Sequence, residues 1–223
     1  MSRNYGTELL SLVRGMTRLF CFVVFAVGLL AAGPSIRAQT DVIRSHSIKS
    51  VALMPLVGDS TPDSIRQEIN KADVAVLREA YPDLTVIGSD ESLSRLDAEH
   101  RLDDLTSFLN LYTKTGAVNK DALGRLMSAL KVEAILLVHV QEYEAQSGSW
   151  MRARNGHNSV RAQYTLFSGT ETLWKHLVVY VHTPQWTAKA DPDNDVAPRI
   201  SKRAAFALSR NIQNTDPKKD IHP

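Results

Sequence analysis

Residues 122–140, ALGRLMSALKVEAILLVHV, change from one hydrophobic period to another without a break. Ala122, Leu123, Leu126, Ala129 and Leu130 recur at helical spacing, so the first half is an amphipathic helix, and Asn119 stands where its N-cap belongs. From Val132 to Val140 the period is two, and both faces are apolar. Val132, Ala134, Leu136 and Val138 alternate with Ile135 and Leu137. A strand that is apolar on both faces belongs in the middle of a sheet. This helix-to-central-strand step sets an α/β class, and the remaining segments arrange around it.

Upstream, Val51-Ala52-Leu53-Met54-Pro55-Leu56 is a short buried strand that ends in a turn at Gly58-Asp59-Ser60. Thr61 is placed to cap a following helix and Pro62 to occupy its first position. Ile65, Ile69, Ala72, Val76 and Ala80 lay one apolar stripe along that helix. Tyr81-Pro82-Asp83 ends it, and Leu84–Ile87 supplies a second strand, so a βαβ unit with parallel strands opens the fold. The charged stretch from Glu91 to Asn110 reads as one or two short helices.

Downstream, strands over about 159–167 and 171–182 are joined by Ser168-Gly169-Thr170 and form an antiparallel hairpin. Three prolines and three aspartates make residues 183–198 irregular. Ile200, Ala204, Ala207, Leu208 and Ile212 then return to helical spacing in a closing helix. The expectation is an α/β (α+β) domain over residues 50–213, two- or three-layered, with a mixed sheet of about five strands. Residues 39–49 read as a polar leader and residues 214–223 as a disordered tail.

The amino terminus carries an address. Arg3, Arg14 and Arg18 precede the apolar run Leu19–Ala32, which gives way to Gly33, Pro34 and Ile36-Arg37-Ala38, the layout of a secretory signal peptide over residues 1–38. The run falls short of the roughly 20 residues that a spanning helix needs. Cleavage leaves no stable transmembrane segment, and the bulky Ile36 before the cut makes a retained signal anchor the competing reading. Cys21, the chain's single cysteine, lies inside the apolar run, so residues 39–223 contain no thiol for disulfides, catalysis or metal binding. Residues 1–38 also hold four basic residues (Arg3, Arg14, Arg18, Arg37) and one acidic residue (Glu8), so their removal turns a formal net charge of +2 into −1. No overall field remains to attract nucleic acid.

Three segments together resemble a group of bacterial envelope proteins that contains the curli secretion channel CsgG, the penicillin-binding-protein activator LpoB and the amino-terminal domain of TolB. They are Val51–Leu56 with its closing proline, the helix-to-strand run Ala122–Val140, and the hairpin Tyr164-Thr165-Leu166-Phe167-Ser168-Gly169-Thr170-Glu171-Thr172-Leu173-Trp174. The resemblance covers roughly residues 50–213 in order of elements and implies an accessory role in the envelope. Val138 stands where many relatives have glycine, the turn reads Gly-Thr-Glu rather than Thr-Gly-Glu, and no lipid-anchor cysteine follows the apolar run. Gln146–Asn158 is too short for two membrane-crossing strands of about 9–11 residues each and their turn, so a CsgG-like pore is not expected.

The local signatures of catalysis are absent: there is no Gly-x-Ser-x-Gly, His-Glu-x-x-His or glycine-rich phosphate loop. His139, His176 and His182 fall on predicted strands and His157 in the adjoining loop, a set from which three metal ligands could be drawn if the sheet brought them together. Hydrogen-bonded sheet residues are the plainer expectation, with no metal and no cofactor. Asp103-Asp104 and Glu142 with Glu144 read as solvated faces rather than acid–base pairs. Trp150-Met151-Arg152-Ala153-Arg154-Asn155-Gly156-His157 has the make-up of a contact loop. Trp150, Arg152, Arg154, His157 and Trp186 are therefore the candidate partner-binding residues.

The sequence thus points to a non-enzymatic exported protein, periplasmic or envelope-associated, that binds another envelope protein and can form a homo-oligomer. The alternatives are an envelope hydrolase built around His139, His176 and Glu142, and a small-ligand binder that uses the Gly58 turn.

Overall fold

A computed structural model describes residues 41–58, 61–146, 157–182 and 192–213. Among them, β1 (Ser50–Leu53), β2 (Thr85–Ile87), β3 (Ala134–Gln146), β4 (His157–Ser168) and β5 (Glu171–His182) form one mixed sheet in the order β2-β1-β3-β4-β5. β1 pairs in parallel with both β2 and β3, and β3-β4-β5 is an antiparallel meander. The helices are α1 (Val42–Ser45), α2 (Asp63–Ala80), α3 (Ser89–Ala98), α4 (Leu102–Thr115), α5 (Lys120–Leu130) and α6 (Pro192–Ser209). The class is α+β with a βαβ start and a closing carboxy-terminal helix, as the hydrophobic periods predict.

The two apolar faces of β3 feed two separate cores. Ala134, Leu136 and Val138 join Val51, Leu53, Tyr164 and Trp174 under α2 and α6, while Ile135 and Leu137 join Ala52, Met54, Ile87 and Phe167 under α3, α4 and α5. Each fully buried aliphatic or aromatic side chain here contributes roughly 1.5–3 kcal/mol. The second core is closed by aromatic packing, with Phe167 edge-on to both Phe108 and Tyr112 at centroid distances of 5.5 and 5.4 Å. It reaches only the first part of β3 and the last part of β4. The domain is therefore three-layered over the parallel half of the sheet, and the long hairpin reaches beyond the second core.

The α5-to-β3 connection is short because Lys131 takes the left-handed conformation (φ 56°, ψ 48°) that ends the helix. Its amide bonds to Met127 and Ser128, and the Val132 amide returns to the Met127 carbonyl, the pattern of a helix stop usually built on glycine. Asn119 caps the other end as predicted, its side chain accepting from the Ala122 amide at 3.1 Å.

Several details depart from the pattern reading. Pro62, not Thr61, is the N-cap of α2, without a side-chain bond. The buried stripe of α2 is Ile65, Ile69, Asp73 and Leu77, whereas Ala72 and Val76 are half-buried and Ala80 is exposed. α6 starts at Pro192, so residues 192–198 are helical rather than irregular, and Pro198 lies within the helix. Residues 41–49 contain a helical turn: Val42 and Ile43 are buried in the first core, and Asp41 both caps α1 and accepts from the Tyr81 hydroxyl at 3.2 Å. The predicted irregular stretch 183–191 and the tail 214–223 lie outside the described residues.

Candidate functional site

The antiparallel register decides what the strand histidines can do. His139 lies opposite Gln163, and His176 lies opposite Tyr164. Directly paired residues share a face and neighbours along a strand alternate, so His139 and His176 project from opposite sides of the sheet. His176 belongs to the first-core side, where its ring stacks on Trp174 at 5.7 Å. His182 shares its parity, and His157 lies opposite Gln146 at the far end of the hairpin. The sheet therefore does not gather these residues, and among the described residues no group of three metal-ligating side chains occurs. Of the candidate contact residues, Trp150, Arg152, Arg154 and Trp186 lie outside the described residues, and His157 is placed only by its backbone.

The acidic pairs are separated by their partners. Asp104 accepts from Arg125 at 2.6 Å and pairs with Arg101 at 3.4 Å, which holds its carboxyl below the usual carboxylate range, while Asp103 is exposed. A register shift between Val140 and Glu142 sets Glu142 opposite Arg161, 3.7 Å away, and Glu144 opposite Ser159. Both glutamates are exposed.

Gly58 is packed against β3, and Asp59 and Ser60 of this turn lie outside the described residues. A Cβ at Gly58 would stand 2.7 Å from the Val140 carbonyl oxygen and 2.9 Å from Thr61 Oγ1. The Gly58 and Thr61 carbonyls both accept from the Arg66 guanidinium, which ties the turn to the first part of α2.

One polar cluster is buried in the first core. Asp73, 3% exposed, projects from α2 between β4 and α6 and accepts from the Tyr164 hydroxyl at 3.1 Å. Burial raises its carboxyl to about 7, opposed by Ser201 and Tyr164. Ser201 Oγ is buried beside it, yet neither that atom nor Asp73 Oδ2 has a partner of good hydrogen-bond geometry. Asp73, Tyr164 and Ser201, with Trp174, Leu136 and Leu208, line one crevice. Sequence reading missed Asp73 because it scored the apolar stripe alone, although the four-residue spacing from Ile65 and Ile69 runs straight through it.

The second feature is β5, which among the described residues forms one outer edge of the sheet. Arg203 of α6 donates to the Val179 carbonyl at 2.8 Å, so Val179 turns its backbone groups away from β4. In an antiparallel pair this orientation alternates, so Lys175, Leu177 and Val181 also direct their N–H and C=O groups away from β4. Val181 is 62% exposed. Beside this edge Arg199 and Arg203 cover the Tyr180 ring at 6.0 and 5.5 Å. Farther along, the Trp174 indole donates to the Ile212 carbonyl at 2.9 Å. These two anchors set α6 antiparallel to β5. Phe206, 58% exposed, and Arg210, stacked on its ring at 5.6 Å, fall at helical spacing from Arg199 and Arg203 and so continue the stripe along the edge.

The opposite edge is managed differently. β2 has three residues, and Arg78 of α2 donates to its Val86 carbonyl at 3.1 Å. One arginine serves a short edge, whereas β5 offers twelve residues.

No family model matches this chain. No curated protein matches it either. Among solved structures it is similar to bacterial lipoproteins and related folds. A lipoprotein from Neisseria meningitidis matches at 14% identity and a TM-score of 0.42, over 70% of this chain and 98% of that one. The PelC dodecamer from Paraburkholderia phytofirmans matches at 14% identity and a TM-score of 0.44, over 79% and 92%. A minor lipoprotein from Acinetobacter baumannii matches at 10% identity and a TM-score of 0.31, over 73% and 92%. Among the described residues no helix is long and apolar enough to cross a membrane.

Proposed function

We propose that this chain is a non-enzymatic exported envelope protein that works by binding another envelope component, and that it is kin to the CsgG, LpoB and TolB amino-terminal-domain group. The observation that supports this reading best is the length of the β5 edge: twelve residues of strand flanked by an arginine and phenylalanine stripe, against a three-residue opposite edge. A long edge strand carries a row of backbone donors and acceptors to which a partner strand can add. The export pattern of residues 1–38 supports the address. A hydrolase assembled from His139, His176 and Glu142 would need them on one side of the sheet, and the pairing register sets His176 on the face opposite His139. Homo-oligomers through the same edge belong to this reading as an alternative occupant.

Site-specific crosslinking in living cells tests it. A photoreactive residue at Phe206, and separately at Trp150, should yield a discrete adduct with one envelope protein, while Asp97 on α3 should yield none. Diffuse or absent products at both positions would refute the reading.

A further inference from the structure

The outward side of α6 carries side chains that the core does not use. We propose that this face docks an acidic helix of a partner protein, whose carboxylates meet Lys202, Arg203 and Arg210 while an apolar residue between them packs on Phe206. The inference rests on the binding function proposed above and names the partner's chemistry.

Three observations carry it. The first is placement. Lys202, Arg203, Phe206 and Arg210 follow one another at spacings of one, three and four, which sets them within an arc of about 100°. The Arg210 amide still bonds to the Phe206 carbonyl at 3.1 Å, so the helical path reaches it. On the opposite arc Ala197, Ala204 and Leu208 are buried in the first core, and Phe206 is left 58% exposed on the outward side.

The second is charge. From Val196 to Gln213 the sequence holds basic residues and no Asp or Glu, while Asp193 and Asp195 fall in the first four residues of the helix. α2, α3 and α5 each pair an arginine with a carboxylate: Arg66 with Asp63, Arg95 with Glu91, and Arg125 with Asp104. Arg203 and Arg210 lie instead against neutral groups. Arg203 donates to the Val179 carbonyl at 2.8 Å and covers the Tyr180 ring, and Arg210 covers the Phe206 ring. Neither contact cancels a charge, and among the described residues Lys202 has no ion-pair partner. Arg199 falls on the same arc but is already engaged, so the proposal does not draw on it.

The third is pre-organisation. Ring stacking and the carbonyl bond already restrict the two guanidinium groups, so little rotamer freedom remains to be lost on binding. Arg203 uses one N–H group on the carbonyl and keeps the others for a carboxylate.

These positions set the spacing of the occupant. Arg203 and Arg210 are seven residues apart, about 10 Å along the helix axis. Glutamates two turns apart on a facing helix repeat at the same interval, and a leucine midway between them falls over Phe206. A basic helix is repelled.

The test uses the protein purified in its natively processed form and three alanine-based helical peptides read by fluorescence anisotropy. One carries glutamates two turns apart with leucine midway, the second has lysines for the glutamates, and the third has glutamine for the leucine. At low salt the glutamate peptide should bind at least about tenfold tighter than the lysine peptide and about threefold tighter than the glutamine one. Lys202→Glu with Arg210→Glu should reverse the charge preference at an unchanged melting temperature; Arg203 stays because it also ties α6 to β5. Phe206→Gln should remove the leucine preference alone. Equal binding of the glutamate and lysine peptides, or binding of neither, would overturn this inference, and the binding function would still stand where the Phe206 or Trp150 crosslink forms in cells. Equal binding of the leucine and glutamine peptides would overturn the Phe206 contact. Retention on phosphatidylglycerol vesicles without binding of the glutamate peptide would assign the face to an anionic membrane instead.

Discussion

Asp73 gives this fold a pH dependence whose sign and size follow from its burial. Its carboxyl is raised from 3.8 to about 7 because the charged form loses water without gaining a cation, and the Tyr164 hydroxyl compensates only in part. Between these two values the folded protein holds a proton that the unfolded chain has released, so stability falls as pH rises. The contribution is fully present below about pH 4 and is lost as pH climbs through about 7. A shift of about three units, at roughly 1.4 kcal/mol each, amounts to about 4 kcal/mol. Asp73→Asn removes the titration while keeping the shape and an oxygen for Tyr164. Its new N–H donors add a pH-independent cost of about 1–3 kcal/mol, so the slope rather than the absolute stability carries the information. Urea unfolding followed by tryptophan fluorescence, at about pH 4 and about pH 8, measures both proteins with their m-values. The variant should gain about 4 kcal/mol relative to the wild type between these pH values. Parallel stability profiles, differing by less than about 0.5 kcal/mol over the range, would refute the assignment.

Three further substitutions probe the frame that holds the site. Gly58→Ala drives a methyl against the Val140 carbonyl and should cost about 1–3 kcal/mol, seen as a lower urea midpoint with an unchanged m-value. Trp174→Phe strips the Ile212 carbonyl of its donor and leaves a void under α6, a loss of about 2–4 kcal/mol by circular dichroism melting. Lys131→Gly relieves a left-handed lysine at the end of α5 and should raise stability by about 0.5–1 kcal/mol; a loss would show that the lysine side chain contributes more than its backbone strain costs.

Much of this architecture is legible without coordinates. Residues 122–140 place β3 at the centre because no other arrangement buries Ala134, Leu136 and Val138 along with Ile135 and Leu137, and Gly169 marks the hairpin because its positive φ (59°) suits a two-residue turn. Those signals are local: each depends on periods and turn chemistry within about twenty residues. What the sequence could not decide is which residues meet. Asp73 interrupts an apolar stripe, and its neighbours Tyr164 and Ser201 lie 91 and 128 positions away in the chain, so only the packing of α2 and α6 on the sheet makes it a buried acid. The histidines are equally spaced for one face or two until the register assigns His139 to Gln163 and His176 to Tyr164. Arg199, Arg203, Phe206 and Arg210 look like a solvated helix face. They come to lie beside β5 because α6 docks antiparallel along that strand, which among the described residues has no further neighbour in the sheet. Periodicity is a property of one segment and can be read from it. A juxtaposition belongs to two segments and is set by the free energy of packing them together.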